Sequence, residues 1–447
     1  MKDKFTKKSK GQFSQLVLLL IVVVMITLTG CESLPFDINP SWMRTPTSVS
    51  GTEMPPEPDA TATEDANPSD VTTTPAPNPS KLILWLPPEL DPHGETEAAG
   101  VLMEKLNEFA YANKVEIVIR IKSKSGAGSL TDSLTATRTA APEILPDLIL
   151  LSSPELSLAA RRNLIYANEG IAKLLGGSDW YPFARQLGTI EEEVLAVAAM
   201  IDPYAMVYNA SSQLIPSNDW DQIHKNFGIF GFAAEDPMGK FLLLQYMNAG
   251  GSVMDGQGYA LLEEDPLITA LQVLKDSLNT RHINDLSLTY QNDSQVWQSF
   301  LDRNLDTAVV PVSLVLSYPY DNPEEPRAAM TEPSISIGPA SAWALANPDT
   351  SRQELALVLL EELMQTEFLG KWTEALHKLP SRPSALGVWT HPTLKPALEV
   401  LAETTRILPE DSVINQLGPI LRNSTLLILR DSGDVVETAL QAIESLK

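Results

Sequence analysis

An α/β protein folded into two lobes is the class this sequence predicts, and three observations carry the prediction. Apolar runs of strand length alternate with stretches of helical spacing. The runs lack the alternation of a one-sided sheet, so they read as strands covered on both faces. The chain has 447 residues, 44% of them apolar, too many for one compact core, so the folded mass divides.

The first element is Lys81-Leu82-Ile83-Leu84-Trp85-Leu86, closed by Pro87-Pro88, whose rings cannot continue a hydrogen-bonded ladder. Residues 96–111 follow with Leu102, Leu106 and Phe109 on one helical face. Val115 to Ile121 reads as the second strand and Leu148-Ile149-Leu150-Leu151 as the third. Strand, helix, strand, helix, strand predicts a parallel sheet with right-handed crossovers. Further helices are expected near 353–369, 394–406 and 434–446, and the sequence holds no internal repeat.

Charge narrows the partners. Lys and Arg number 32 against 57 Asp and Glu, a net −25. A surface this acidic repels phosphate backbones, which excludes nucleic acid as a partner. The single cysteine, Cys31, excludes an intrachain disulfide. No long apolar stripe asks for a second subunit, so a monomer is expected.

The amino terminus reads as an address. Lys2, Lys4, Lys7, Lys8 and Lys10 precede the apolar run Leu16–Leu28, the layout of a secretory signal. Thirteen helical residues span about 20 Å, short of the roughly 30 Å hydrocarbon core. Leu28-Thr29-Gly30-Cys31 resembles the bacterial lipobox. That resemblance implies a signal peptide over 1–30, lipidation of the Cys31 thiol and cleavage before it. Several acyl chains on one residue anchor stably, each buried methylene contributing about 0.8 kcal/mol. Residues 31–80 are the lipidated Cys and a Pro/Thr-rich linker; 32–80 hold ten prolines, with Phe36 and Trp42 as the aromatics. This composition predicts a disordered tether, with a reach of roughly 40 Å. The folded body is 81–447.

Seven fragments of that body, in order, resemble the bacterial extracellular solute-binding proteins of the sugar and oligosaccharide type, the maltodextrin-binding-protein-like group. They are Lys81-Leu-Ile-Leu-Trp85, Leu145-Pro-Asp-Leu-Ile149, and Ala205-Met-Val-Tyr208-Asn209 with Trp220. Tyr246-Met-Asn-Ala-Gly250-Gly251 with Asp255 and Gly258 is the fourth. Then come Leu305–Val309 as the return to the first lobe, Ser341-Ala-Trp343-Ala-Leu345 as the last crossover, and the Lys378-Leu-Pro380-Ser-Arg382 turn. The resemblance implies a periplasmic-binding-protein-like fold with a hinge of two or three strands and an interlobe cleft. Lobe one would be about 81–201 plus 312–342, and lobe two about 202–311 plus 343–447. It further implies capture of a solute by hinge closure and delivery to an ABC transporter permease, without catalysis or cofactor.

Candidate ligand residues follow from where that topology puts strand ends and crossovers. Asp202 sits at the first crossover, as a ligand acid or a hinge carboxylate. Tyr204 is placed to stack or donate. Trp343 marks the last crossover, or packs in the core. Ser152 and Ser153 end a cleft-facing strand, binding a hydroxyl or capping the next helix. Glu89 and Asp91 follow the first strand, facing ligand or solvent. Tyr246 and Asn248 face the cleft from lobe two or close a helix. Tyr318 and Tyr320 flank Pro319 on a loop that would overhang the cleft, whereas the helical spacing of Trp297 and Leu301 points to core. Maltodextrin binders carry a Trp and then an Asp-Arg pair after the third strand; this chain has Leu151 and then Pro154-Glu155. An aliphatic near Val315 replaces their return-crossover aromatic. These departures argue against a maltodextrin and single out no specific sugar; the expected solute is a small carbohydrate.

An enzyme finds little support. His93, His224, His282, His377 and His391 are far apart, with no HExxH metal spacing, no nucleophile elbow and no phosphate loop. Acidic residues are numerous enough to keep a carbohydrate-active hydrolase open as an alternative. A surface lipoprotein using the fold for sensing or protein contacts is the other alternative.

Overall fold

The computed structural model describes residues 81–446 apart from Ser125, Ala127, 209–227, Asn284, 319–328, 332–334, 391–393 and Ser432. The signal segment, Cys31, the linker, Asn209, Trp220 and Tyr320 lie outside the described residues.

Strand β1 is Lys81–Leu86, β2 Glu116–Ile121, β3 Leu148–Ser152, β4 Thr189–Ile190, β5 Glu193–Val194, β6 Ala196–Ile201 and β7 Tyr204–Tyr208. Strand β8 is Phe230–Gly231, β9 Thr307–Pro311, β10 Ala329–Thr331, β11 Ser336–Gly338, β12 Ala340–Leu345, β13 Leu379–Pro380 and β14 Thr405–Ile407. The first lobe is built on a six-stranded sheet in the order β13-β6-β12-β3-β1-β2. Its β2-β1-β3 portion is parallel, with Leu84 opposite both Ile119 and Leu148. The remaining strands pair antiparallel. The three predicted strands are thus present, and helix Glu97–Asn113 makes the first crossover, capped by the Thr96 hydroxyl on the Ala99 amide. Continuous apolar runs form these strands because helices cover both sheet faces. Leu82 to Leu86 are all nearly inaccessible.

The second lobe is built on a four-stranded sheet in the order β10-β7-β9-β8. Strands β7 and β9 are antiparallel with Tyr204 opposite Pro311, and β8 runs parallel to β9. Its core stacks Phe232 on Phe241 at 3.8 Å between centroids. Helices Glu264–Asn279, Asp411–Asp431 and Val435–Leu446 pack there through Leu271, Leu274, Leu417, Leu421 and Ala439.

The chain passes between the sheets three times, at Asp202-Pro203, Gly338-Pro339 and Leu408-Pro409. This corrects the expected lobe boundaries. Strand β12, read as the last crossover, lies inside the six-stranded sheet between β3 and β6. Burial of both its faces demands that place. Helices Thr350–Leu363, Thr366–Ala375 and Lys395–Thr404 then bury Leu359, Leu363, Trp372, Leu398 and Leu401 in the first lobe's core. Among the described residues, the first lobe therefore takes those of 340–407, and the second those of 204–338 and 408–446. Leu305–Val309 is not a return either, because β9 is an inner strand of the second sheet. Helix Val312–Leu316 and strand β10 stay with that sheet, since the helix packs on β7 and β9 and β10 pairs with β7. The helix expected over 353–369 is two, broken at Met364-Gln365.

Candidate ligand site between the lobes

In the first lobe the carboxyl ends of β1, β2 and β3 point to the crossovers, where open α/β sheets place ligands. Glu89 follows β1 and pairs with Lys124 at 2.6 Å. Asp91 accepts the amide and ring nitrogen of His93 at 3.0 and 2.9 Å, and the amide bond chiefly holds its carboxyl below the usual range. Ser152 ends β3 and closes a capping box with Glu155, its amide and hydroxyl donating to Oε2 at 2.9 and 2.6 Å. Burial pushes the Glu155 carboxyl up. Among the described residues, Glu155 Oε1 and the buried Ser153 hydroxyl have no hydrogen-bond partner.

The hinge stitches its crossovers together. The Asp202 amide donates to Pro339 O at 3.0 Å and the Leu408 amide to Gly338 O at 2.9 Å. The Asp202 carboxylate accepts the Ser313 amide at 3.0 Å and hydroxyl at 2.7 Å. Burial raises its pKa against the lowering effect of those bonds and of Lys378, while Asp293 adds repulsion. Gly338 is required here, because an added Cβ would lie 2.5 Å from Asp202 O.

In the second lobe Tyr204 donates to Asp293 Oδ2 at 2.5 Å. Lys240 Nζ lies 3.0 Å from the same oxygen, 3.7 Å from Asp236 Oδ2 and 5.3 Å from the Tyr204 ring centroid. Burial, reinforced by the Asp293 charge, raises the Tyr204 pKa far above its ordinary value. The sequence reading missed Asp236, Lys240 and Asp293. The available signal was Glu235-Asp236-Pro237 directly after the apolar run Phe230–Ala234, the pattern of a strand end.

Several candidates have structural duties. Trp343 is fully buried at the centre of β12 and stacks on Trp372 at 6.2 Å, so its assignment to the ligand site is corrected to core. Tyr246 is also inaccessible; its hydroxyl donates to Ser252 O at 2.6 Å and accepts the Glu263 amide at 2.9 Å. Asn248 clamps Ile335 by accepting its amide at 2.9 Å and donating to its carbonyl at 3.0 Å. Trp297 stacks on Phe300 at 5.4 Å, as its helical spacing predicted. Tyr318 sets its ring edge-on to Trp297 at 6.2 Å.

A crevice of about 540 Å³ opens between the lobes. Its walls are Ser153, Leu156 and Ser157 with Gln186, Leu187, Thr189 and Ile190 from the first lobe, Met247 and Gly250–Met254 from the second, and Arg406–Glu410 at the third crossover. Arg161 pairs with Glu410 at 2.7 Å beside it. No aromatic ring is among its described lining residues. The crevice is of small-ligand size, polar at points and apolar between them. No group of His, Cys, Asp and Glu among the described residues is arranged to hold a metal.

No protein-family model and no curated protein sequence matches the chain. Solved structures do match its fold. The cyclic α-maltosyl-1,6-maltose binding protein of Arthrobacter globiformis aligns over 82% of this chain and 98% of its own, with TM-score 0.65 and 14% identity. The sugar-binding protein MalE of Xanthomonas citri aligns over 82% and 97%, with TM-score 0.64 and 15% identity. The maltose-binding periplasmic protein of Listeria monocytogenes aligns over 82% and 96%, with TM-score 0.61 and 11% identity. At these identities the likeness establishes the fold.

Proposed function

We propose, from the sugar-binding-protein fold shared with those structures, that this protein captures a small carbohydrate between its lobes and delivers it unchanged to an ABC importer. The observation carrying the proposal is the pair of sheets joined by three crossovers, with a crevice lined from both. Hinge closure adds the second lobe's contacts to those of the first, so affinity belongs to the closed state. Ser153, Ser157 and Gln186 from one lobe, Ser252 from the other, and Arg406 and Glu410 at the third crossover supply donors and acceptors for hydroxyls. In the same reading Cys31 is lipidated, residues 32–80 tether the monomeric body outside the cell membrane, and a permease receives the solute. Among the described residues no helix is long and apolar enough to cross a membrane.

A thermal-shift screen of mono-, di- and oligosaccharides tests the binding reading. A ligand at one hundred times its Kd should stabilise by about 2.7 kcal/mol, whereas a flat response across the panel rejects it. Product analysis after incubation with the same sugars tests the non-enzymatic reading, which any turnover would overturn. Incorporation of a labelled fatty acid, lost in Cys31→Ala, tests the anchor.

A second reading has a specific observation behind it. The crevice lining lacks an aromatic platform for a sugar ring face. Asp202, Tyr204, Tyr246 and Asn248 are engaged by protein partners. Both facts suit a surface lipoprotein that uses the fold for sensing or protein contacts.

A further inference from the structure

A cavity of about 540 Å³ lies apart from the first crevice, and the two share no lining residue among the described residues. Its walls come from helix Glu97–Asn113, from helix Thr366–Ala375 packed against it, and from Leu316–Tyr318 at the end of the second lobe's Val312–Leu316 helix. Two exposed opposite charges face it: the Glu97 carboxylate and the Lys371 ammonium. Neither side chain makes a hydrogen bond or ion pair with another described residue. Glu374 and His377, both half-buried, also line the cavity and are engaged within the protein; the Glu374 carboxylate accepts the Thr390 amide at 2.7 Å and hydroxyl at 2.9 Å. Tyr318 is half-buried, and the edge-on contact with Trp297 fixes its ring at the wall.

We propose that this cavity is a second solute site, taking a small zwitterion of the amino-acid class. Glu97 receives the ligand's ammonium, which the Tyr318 face also attracts. Lys371 receives its carboxylate, with the hydroxyl of Ser317 at hand. A neutral polyol would leave both charges unpaired, and a simple anion or cation would meet one partner and one repelling group. The two charges and the ring come from three separate segments and both lobes, so occupancy is coupled to the lobe arrangement. This site is independent of the carbohydrate reading of the crevice.

The test is isothermal titration calorimetry of the full chain with glycine, L-serine, L-leucine and L-glutamine. At least one should bind, and Glu97→Gln and Lys371→Met should each weaken that binding about tenfold or more, the loss of one charge-assisted contact. Both positions are exposed, so the variants should melt like the parent. Ser157→Ala, in the other crevice, should leave amino-acid binding unchanged. Absence of binding by all four probes, a loss in only one charge variant or in neither, or a loss in Ser157→Ala would each overturn the assignment.

Discussion

Asp202 and Ser313 are joined twice, the carboxylate of one accepting both the amide and the hydroxyl of the other. One residue stands at the first crossover, and the other lies in the first turn of helix Val312–Leu316 after β9, so the clasp ties the hinge to the second lobe's sheet. It accounts for an acid at that point without a ligand, and it makes the hinge sensitive to pH. The Asp202 pKa is raised in the folded chain, chiefly by burial. The folded state therefore holds this proton more tightly than the unfolded state does. Stability contributed at this site is greatest below the ordinary carboxyl range and falls as pH rises through the folded value. Asp202→Asn should remove that fall, seen as a flatter dependence of Tm on pH in acid. An unchanged profile would mean Asp202 does not titrate as described.

Gly338 brings the first two crossovers into contact. A Cβ there meets Asp202 O at 2.5 Å and Pro203 Cα at 2.7 Å, both backbone atoms that cannot swing away. Gly338→Ala should destabilise by roughly 1–3 kcal/mol, the range of an overpacked site. Denaturant unfolding measures it, and a neutral result would show that the crossovers separate freely.

Asp147 is buried beneath the first sheet, 1% exposed, and accepts the Ile83 amide, the Asn347 side chain and two nitrogens of Arg352. Arg352→Met leaves that carboxylate without its counter-charge and should cost about 3–5 kcal/mol. The double variant with Asp147→Asn should recover part of the loss, because no charge is then stranded. Equal losses in the single and double variants would contradict a coupled pair.

Trp343 separates core from site. Trp343→Ala should cost about 3–5 kcal/mol of stability. Trp343→Phe, which keeps most of the packing, should leave the affinity for any crevice ligand unaltered. A selective loss of affinity in the Phe variant would return Trp343 to the ligand site.

Glu155 offers a contrast within one cap. Glu155→Gln keeps an acceptor for the Ser152 amide and hydroxyl and should be nearly neutral. Glu155→Ala removes the acceptor half of the capping box and should cost about 0.5–1.5 kcal/mol. Equal costs would show that the charge, not the hydrogen bonds, matters there.

The α/β class, the parallel β1–β3 arrangement and the helix after β1 were legible in the sequence, because they rest on local signals: unbroken apolar runs, a 3.6-residue period and proline stops. The crossover at Asp202 came from the family resemblance and not from a local signal. The sequence did not determine which lobe β12 and the helices after it join. The run Ala342-Trp343-Ala344-Leu345 is equally apolar in a crossover and in an inner strand, and only the partners at its two edges decide. Nor did it separate ligand residues from structural ones. Tyr204, Tyr246 and Asn248 are polar at family positions that read as ligand-facing, yet their bonds go to Asp293, Ser252 and Ile335, placed beside them by packing. Lys240 and Asp293 were missed for the same reason, since 53 residues separate them in the chain. A hydrogen bond between distant segments is a property of the assembled sheets, and no local pattern announces it.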